Sequence, residues 1–190
     1  MEIFELTIDD IRRNGIFKIS LVGEPAMEVD YFAFNQKLTL AKIDEDQMMI
    51  IGPAMIPDKQ ILRRTDEGVD YLVYFTKETI KESAYEYMRA GMQNSVNVEH
   101  EIDLGGVTTV ESWIIENAET DKSKHYGFSL PEGTWMIAMK VYSKDVWEQL
   151  IKSGLLKGFS IEGSFFPIRE ESIQLSDLLK DIESILAKPE

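Results

Sequence analysis

The sequence predicts an α+β fold, a barrel of mostly antiparallel strands surrounded by about three helices. Three observations carry this. Strand-like runs crowd the first 75 residues, helical periodicity is confined to three segments, and long stretches without helix exclude a doubly wound α/β sheet. Closing the strands into a barrel removes edges that otherwise invite aggregation.

The elements follow in order. Ile16-Phe17-Lys18-Ile19-Ser20-Leu21-Val22 is apolar and β-rich, and Gly23-Glu24-Pro25 breaks it. Tyr31-Phe32-Ala33-Phe34 and Leu38-Thr39-Leu40-Ala41 are the next strand-like runs. Met48-Met49-Ile50-Ile51-Gly52-Pro53 is continuously apolar and reads as a strand buried on both faces. Asp70-Tyr71-Leu72-Val73-Tyr74-Phe75 is another. Thr76 then caps a helix whose Ile80, Ala84, Tyr87 and Met88 share one buried stripe, with Gly91 suited to its end. A Pro131-Glu132-Gly133 turn leads into a strong strand from Thr134 to Val141. Ser143 caps a second helix, with Val146, Trp147, Leu150 and Ile151 inward, stopping near Gly154 or Gly158. Leu178, Leu179, Ile182, Ile185 and Leu186 form the apolar face of a third, C-terminal helix. Residues 1–172 therefore read as the main domain and 173–190 as an amphipathic helix and tail.

Composition narrows the function. The chain has 190 residues, 44% hydrophobic, enough for one domain with a closed core. Its net charge of −14, with 34 acids against 20 bases, argues against nucleic acid as the main partner. The charge fits either a solvated, self-repelling surface or a preference for basic partners. No run approaches the roughly 18 apolar residues of a membrane span. The acidic Met1-Glu2-Ile3-Phe4-Glu5 start is unlike a secretory signal. Without cysteine there is neither a disulfide framework nor thiol chemistry. An intracellular protein with no membrane partner is the expectation. The two histidines lack metal-ligand spacing, no glycine-rich phosphate loop occurs, and Asp44-Glu45-Asp46 reads as an acidic loop. No cofactor or metal is expected.

A nucleophile and a base remain to be found. His100 closes the alternating run Val96-Asn97-Val98-Glu99-His100, and Gly105-Gly106 has the chemistry of a two-residue hairpin turn. With that turn, His100 falls opposite Glu111, whose carboxylate could accept an imidazole N–H and fix the tautomer. His100 could equally be an exposed strand-end residue, and His125 sits in a polar loop. Ser160 lies in Gly158-Phe159-Ser160-Ile161-Glu162-Gly163. There Ser160 and Glu162 point to one side of a strand, Phe159 and Ile161 to the other. The flanking glycines permit close approach of a backbone. The spacing is not the nucleophile elbow of α/β-hydrolases. Glu162 is the second choice for the acid, and Ser160 alone could be simply a half-buried strand residue.

Together these segments resemble the prohead (capsid-maturation) serine proteases of tailed phages and prophages. The likeness runs through Ile19-Ser20-Leu21-Val22-Gly23-Glu24-Pro25-Ala26 with Phe32-Ala33-Phe34, then Asn97-Val98-Glu99-His100 and Val110-Glu111-Ser112-Trp113. Pro131-Glu132-Gly133-Thr134-Trp135 and the hexapeptide around Ser160 complete it. The resemblance implies a helix-surrounded β-barrel related to herpesvirus assemblin, with Ser160 as nucleophile and His100 as base. It also implies a third member on a strand after the serine, but here the segment after Ser160 soon turns polar and then helical, so Glu111 is the choice by hairpin geometry, with Glu162 second. Backbone amides near Gly163, or Arg169, are the candidate oxyanion donors. The implied function is a serine endopeptidase that cleaves phage scaffold and major capsid proteins, and itself, by acyl-enzyme chemistry. It would act in the bacterial host cytoplasm inside the assembling prohead, with a homo-oligomer as a possible active form. The alternative is a catalytically silent capsid-assembly module on the same fold. A small-molecule esterase ranks third.

Overall fold

The computed structural model describes residues 1–8, 14–23 and 47–169, and the backbone alone of 41–44. The strand-like runs at 31–34 and 38–40, Glu45-Asp46 and the helix expected over 175–186 lie outside the described residues, as does the proposed boundary at 172/173. Twelve strands are described. They are β1 (Glu2–Thr7), β2 (Gly15–Val22), β3 (Ala41–Asp44), β4 (Met49–Met55), β5 (Ile61–Arg64), β6 (Asp70–Tyr74), β7 (Val96–Val98), β8 (Ile102–Asp103), β9 (Val107–Ile114), β10 (Trp135–Val141), β11 (Gly158–Ser164) and β12 (Phe166–Arg169). Helix α1 spans Lys77–Arg89, and a shorter helical segment, α2 (Lys144–Val146), continues into a π-turn over Trp147–Ile151.

The described residues are thus mostly β with two short helices, and their strands do not form the expected closed barrel. Among the described residues the strands make three four-stranded sheets, ordered β12-β1-β6-β5, β3-β4-β10-β9 and β11-β2-β7-β8. Some edge strands are short, β5 and β12 with four residues each and β8 with two, whereas the edge strands β9 and β11 run to eight and seven residues.

Local chemistry explains the elements that were foreseen. Thr76 caps α1, accepting from the Thr79 N–H, and the carbonyl of Met88 takes the N–H of Gly91, whose φ of 75° ends the helix in the left-handed region. Ile80, Ala84 and Tyr87 are buried as their spacing requires, whereas Met88 is exposed at the edge of the stripe. The Tyr87 ring meets Trp135 edge-on at 5.4 Å, and its hydroxyl bonds Thr109 at 3.0 Å. Strand β10 is buried almost throughout because it is covered on both faces. One face joins the main core with Trp135, Ile137 and Met139, and the other a smaller cluster holding Met136, Ile51, Ile115 and Phe128.

Gly163 shows why the hexapeptide around Ser160 ends in glycine. A Cβ there would stand 2.7 Å from the Gly15 carbonyl oxygen and 2.8 Å from the Phe165 ring, beside the bulge between β11 and β2. The carbonyl belongs to the paired strand and cannot swing away. Gly163→Ala should therefore lower stability by about 1–3 kcal/mol, read as a lower denaturant midpoint. An unchanged midpoint would show that the two backbones have room to separate.

Candidate active site

The site is built on the sheet β11-β2-β7-β8. Strand β2 lies between antiparallel β11 and parallel β7, which puts Ser160, Ser20 and Asn97 in register across three strands. In-register neighbours share a face with Cβ atoms about 5 Å apart. Two residues along, Glu162 is in register with Lys18, so it shares that face with Ser160 as the alternation in β11 predicts. Lys18 turns to Asp103 on β8, bonding it at 2.5 Å.

His100 reaches this face from a turn, not from the end of a strand. β7 folds back onto β8 with Val98 paired to Ile102, and Glu99 and His100 fill the turn with φ of 51° and 61°. Left-handed backbone costs a non-glycine residue about 1–2 kcal/mol, and it persists where surroundings enforce it. Here the Glu99 N–H donates to the Leu21 carbonyl at 3.1 Å, and the Glu99 carboxylate accepts from the Gly23 N–H at 2.6 Å. The result is an imidazole held over β2 and β11.

Glu162 is the hub. Its Oε1 accepts from Asn97 Nδ2 at 2.5 Å and Ser20 Oγ at 2.9 Å, and lies 3.0 Å from His100 Nδ1. Ser20 Oγ is itself 2.9 Å from the same ring nitrogen. Ser20 and Asn97 are fully enclosed, while His100 keeps 43% of its side chain exposed. The site therefore has a buried polar floor and an imidazole partly open to solvent above it. Burial alone would raise the Glu162 carboxyl. The hydrogen bonds from Asn97, Ser20 and His100, with the histidine's charge, outweigh burial and hold it below the ordinary carboxylate value. A carboxyl depressed on folding adds stability above its unfolded pKa, and that stability is lost as pH falls through the lower folded value. Acid unfolding should therefore lose part of its pH dependence below about pH 4.5 in Glu162→Gln. Identical pH profiles of the denaturant midpoint would contradict the hydrogen-bonded carboxylate.

The expected pairing of His100 with Glu111 is corrected by the register. Because the chain reverses at Glu99–His100, Gly105-Gly106 connects two sheets and does not fold one strand onto another. The Gly106 carbonyl accepts from the Tyr142 N–H at 2.7 Å. Glu111 sits on β9 opposite Ala138, and its carboxylate pairs with Lys122, whose ammonium lies 3.8 Å from the centre of the Trp113 ring. Arg169, a candidate oxyanion donor, is on β12 and pairs with Glu2 in another sheet. His125 is exposed on the 3-10 turn over Lys122–Tyr126.

Ser160 is buried, at 8% exposure, and its hydroxyl makes no hydrogen bond to another described residue. It borders a small concavity of about 160 Å³ with Phe159, Gly163 and Phe165. That hollow shares Leu6, Arg63 and Phe165 with a larger, mainly apolar cleft of about 610 Å³ beside β1 and β6. The structure thus joins His100, Glu162, Ser20 and Asn97 by hydrogen bonds and sets Ser160 next to Ser20 in the same row. Ser20 and Asn97 were not singled out from the sequence. The available signal was each polar residue standing alone between apolar neighbours in a buried strand.

With the geometry in hand, comparison with known proteins identifies the class. A family model described as "Putative phage serine protease XkdF" matches residues 37–166, more than half the chain, and the protein belongs to that family. Among individual relatives, the phage-like element PBSX protein XkdF of Bacillus subtilis (strain 168) is 24% identical over 188 residues. The match covers 94% of this chain and 62% of the relative, so the chain spans less than two thirds of that protein's length. No solved structure matches the chain.

Proposed function

We propose that the protein is a serine endopeptidase that cleaves phage scaffold and major capsid proteins, and itself, during prohead maturation. The single observation that carries this is the Glu162–His100 contact on the face that also bears Ser160. Glu162 orients the ring through Nδ1 and leaves Nε2 as the nitrogen that takes the Ser160 proton. Ser160 Oγ then attacks the peptide carbonyl, and the protonated His100 returns the proton to the leaving amine. An acyl-enzyme remains, which water hydrolyses with His100 again as base. Backbone amides near Gly163 are the proposed oxyanion donors. The proposed setting is the host cytoplasm within the assembling prohead, with self-association as the route to full activity.

Incubation of the full chain with its cognate scaffold protein tests the reading. Wild type is expected to give defined fragments and Ser160→Ala none; equal fragment yields from the two would overturn it. One observation favours the second reading, a silent capsid-assembly module: Ser160 makes no hydrogen bond to His100 in the isolated chain. That module would leave the scaffold protein intact in the presence of assembled as well as free protein.

A further inference from the structure

Ser20 stands outside the Ser160–His100–Glu162 set, yet no side chain in the site is more tightly placed. It lies on the central strand β2, with ladders to Ser160 on one side and Asn97 on the other. Its side chain is fully buried, and its oxygen is 2.9 Å from both Glu162 Oε1 and His100 Nδ1. A serine hydroxyl has one proton to give. The Glu162 carboxylate has none, so the Ser20 proton goes to Glu162.

The consequence falls on His100. Both oxygens near Nδ1, Ser20 Oγ at 2.9 Å and Glu162 Oε1 at 3.0 Å, then present lone pairs. A bare Nδ1 would face two acceptors and repel both, so Nδ1 carries the ring proton and Nε2 is the free base. Without Ser20, Glu162 would be the one side chain among the described residues bonded to the ring; Ser20 adds a second contact to the same nitrogen from the middle of the sheet. We propose that Ser20 is a positioning residue that selects the Nδ1–H tautomer of His100 and anchors the ring over β2. This rests on the reading of His100 as the base.

Two neighbouring charged side chains are engaged elsewhere: Lys18 bonds Asp103 at 2.5 Å, and Glu99 accepts from the Gly23 N–H. Nor is Ser20 placed to be the nucleophile, since its proton is committed to Glu162 and its oxygen is enclosed, whereas Ser160 retains some exposure.

Nitrogen NMR of the full chain, labelled with ¹⁵N-histidine, tests this without requiring catalysis. The chain has two histidines, and His125→Gln leaves His100 as the single signal. At a pH where the ring is neutral, the protein carrying Ser20 should show a protonated Nδ1 and a bare Nε2. Ser20→Ala should move the population towards Nε2–H and lower kcat about tenfold to a hundredfold, with KM within about twofold. Ser20→Thr, which keeps the hydroxyl, should retain the Nδ1–H signal. A bare Nδ1 in the Ser20-bearing protein overturns the proposal even if Ser20→Ala fails to fold. So does an Ala variant with unchanged tautomer and kcat. If the tautomer responds to Ser20→Ala while Ser160→Ala still cleaves, the positioning role stands and the assignment of Ser160 as nucleophile falls.

Discussion

Glu162→Gln is expected to lower kcat for peptide cleavage by about 10³- to 10⁴-fold, while Glu111→Gln leaves it within about twofold. The sequence ranks Glu111 first and Glu162 second; the strand register favours the opposite order. Glu162 Oε1 lies 3.0 Å from His100 Nδ1, and Glu111 belongs to a different sheet with Lys122 as its partner. A glutamine at 162 keeps the shape of the side chain but loses the negative charge that stabilises the imidazolium. It also brings an amide N–H among groups that are themselves donors, Asn97 Nδ2 and Ser20 Oγ. Steady-state kinetics on both variants decide the matter. Loss of kcat in Glu111→Gln with full activity in Glu162→Gln would reverse the assignment.

Ser160→Ala should reduce cleavage by on the order of 10⁴-fold or more, with almost no cost in stability. The hydroxyl makes no hydrogen bond to another described residue, so its removal orphans no partner there. His100→Asn should cause a loss of similar size, and asparagine is comfortable at the φ of 61° that position adopts. Because the pair acts as a unit, the double variant should be scarcely worse than either single one. Thermal unfolding run alongside separates chemistry from folding: a low melting temperature with proportionate loss of activity would mean a structural role only.

The sequence made the long, strongly patterned elements legible. Strand β10 follows from the apolar run Trp135–Met139 with Val141 beyond it, and α1 from the Thr76 cap and the Ile80, Ala84, Tyr87 spacing. The shared face of Ser160 and Glu162 followed from alternation alone, because a strand fixes side-chain direction at every second residue. The reversal at Glu99–His100 was not legible, since glutamate rarely adopts left-handed backbone and Gly105-Gly106 offered stronger turn chemistry a few positions later. What holds the reversal in place comes from Leu21 and Gly23, far away in sequence. Ser20 and Asn97 were missed for a related reason: their meaning comes from the register of β2 with β7 and β11, and register between distant strands is set by tertiary packing.

The central claim is that Ser160 is a nucleophile activated by His100. It is tested most directly by treating the full chain with a fluorophosphonate, in the presence and absence of its cognate scaffold protein, and locating the adduct by peptide mass spectrometry. The account predicts one phosphonylated residue, Ser160, with labelling lost in His100→Asn and strongly reduced in Glu162→Gln. An adduct on Ser20, or no adduct under either condition, would contradict it.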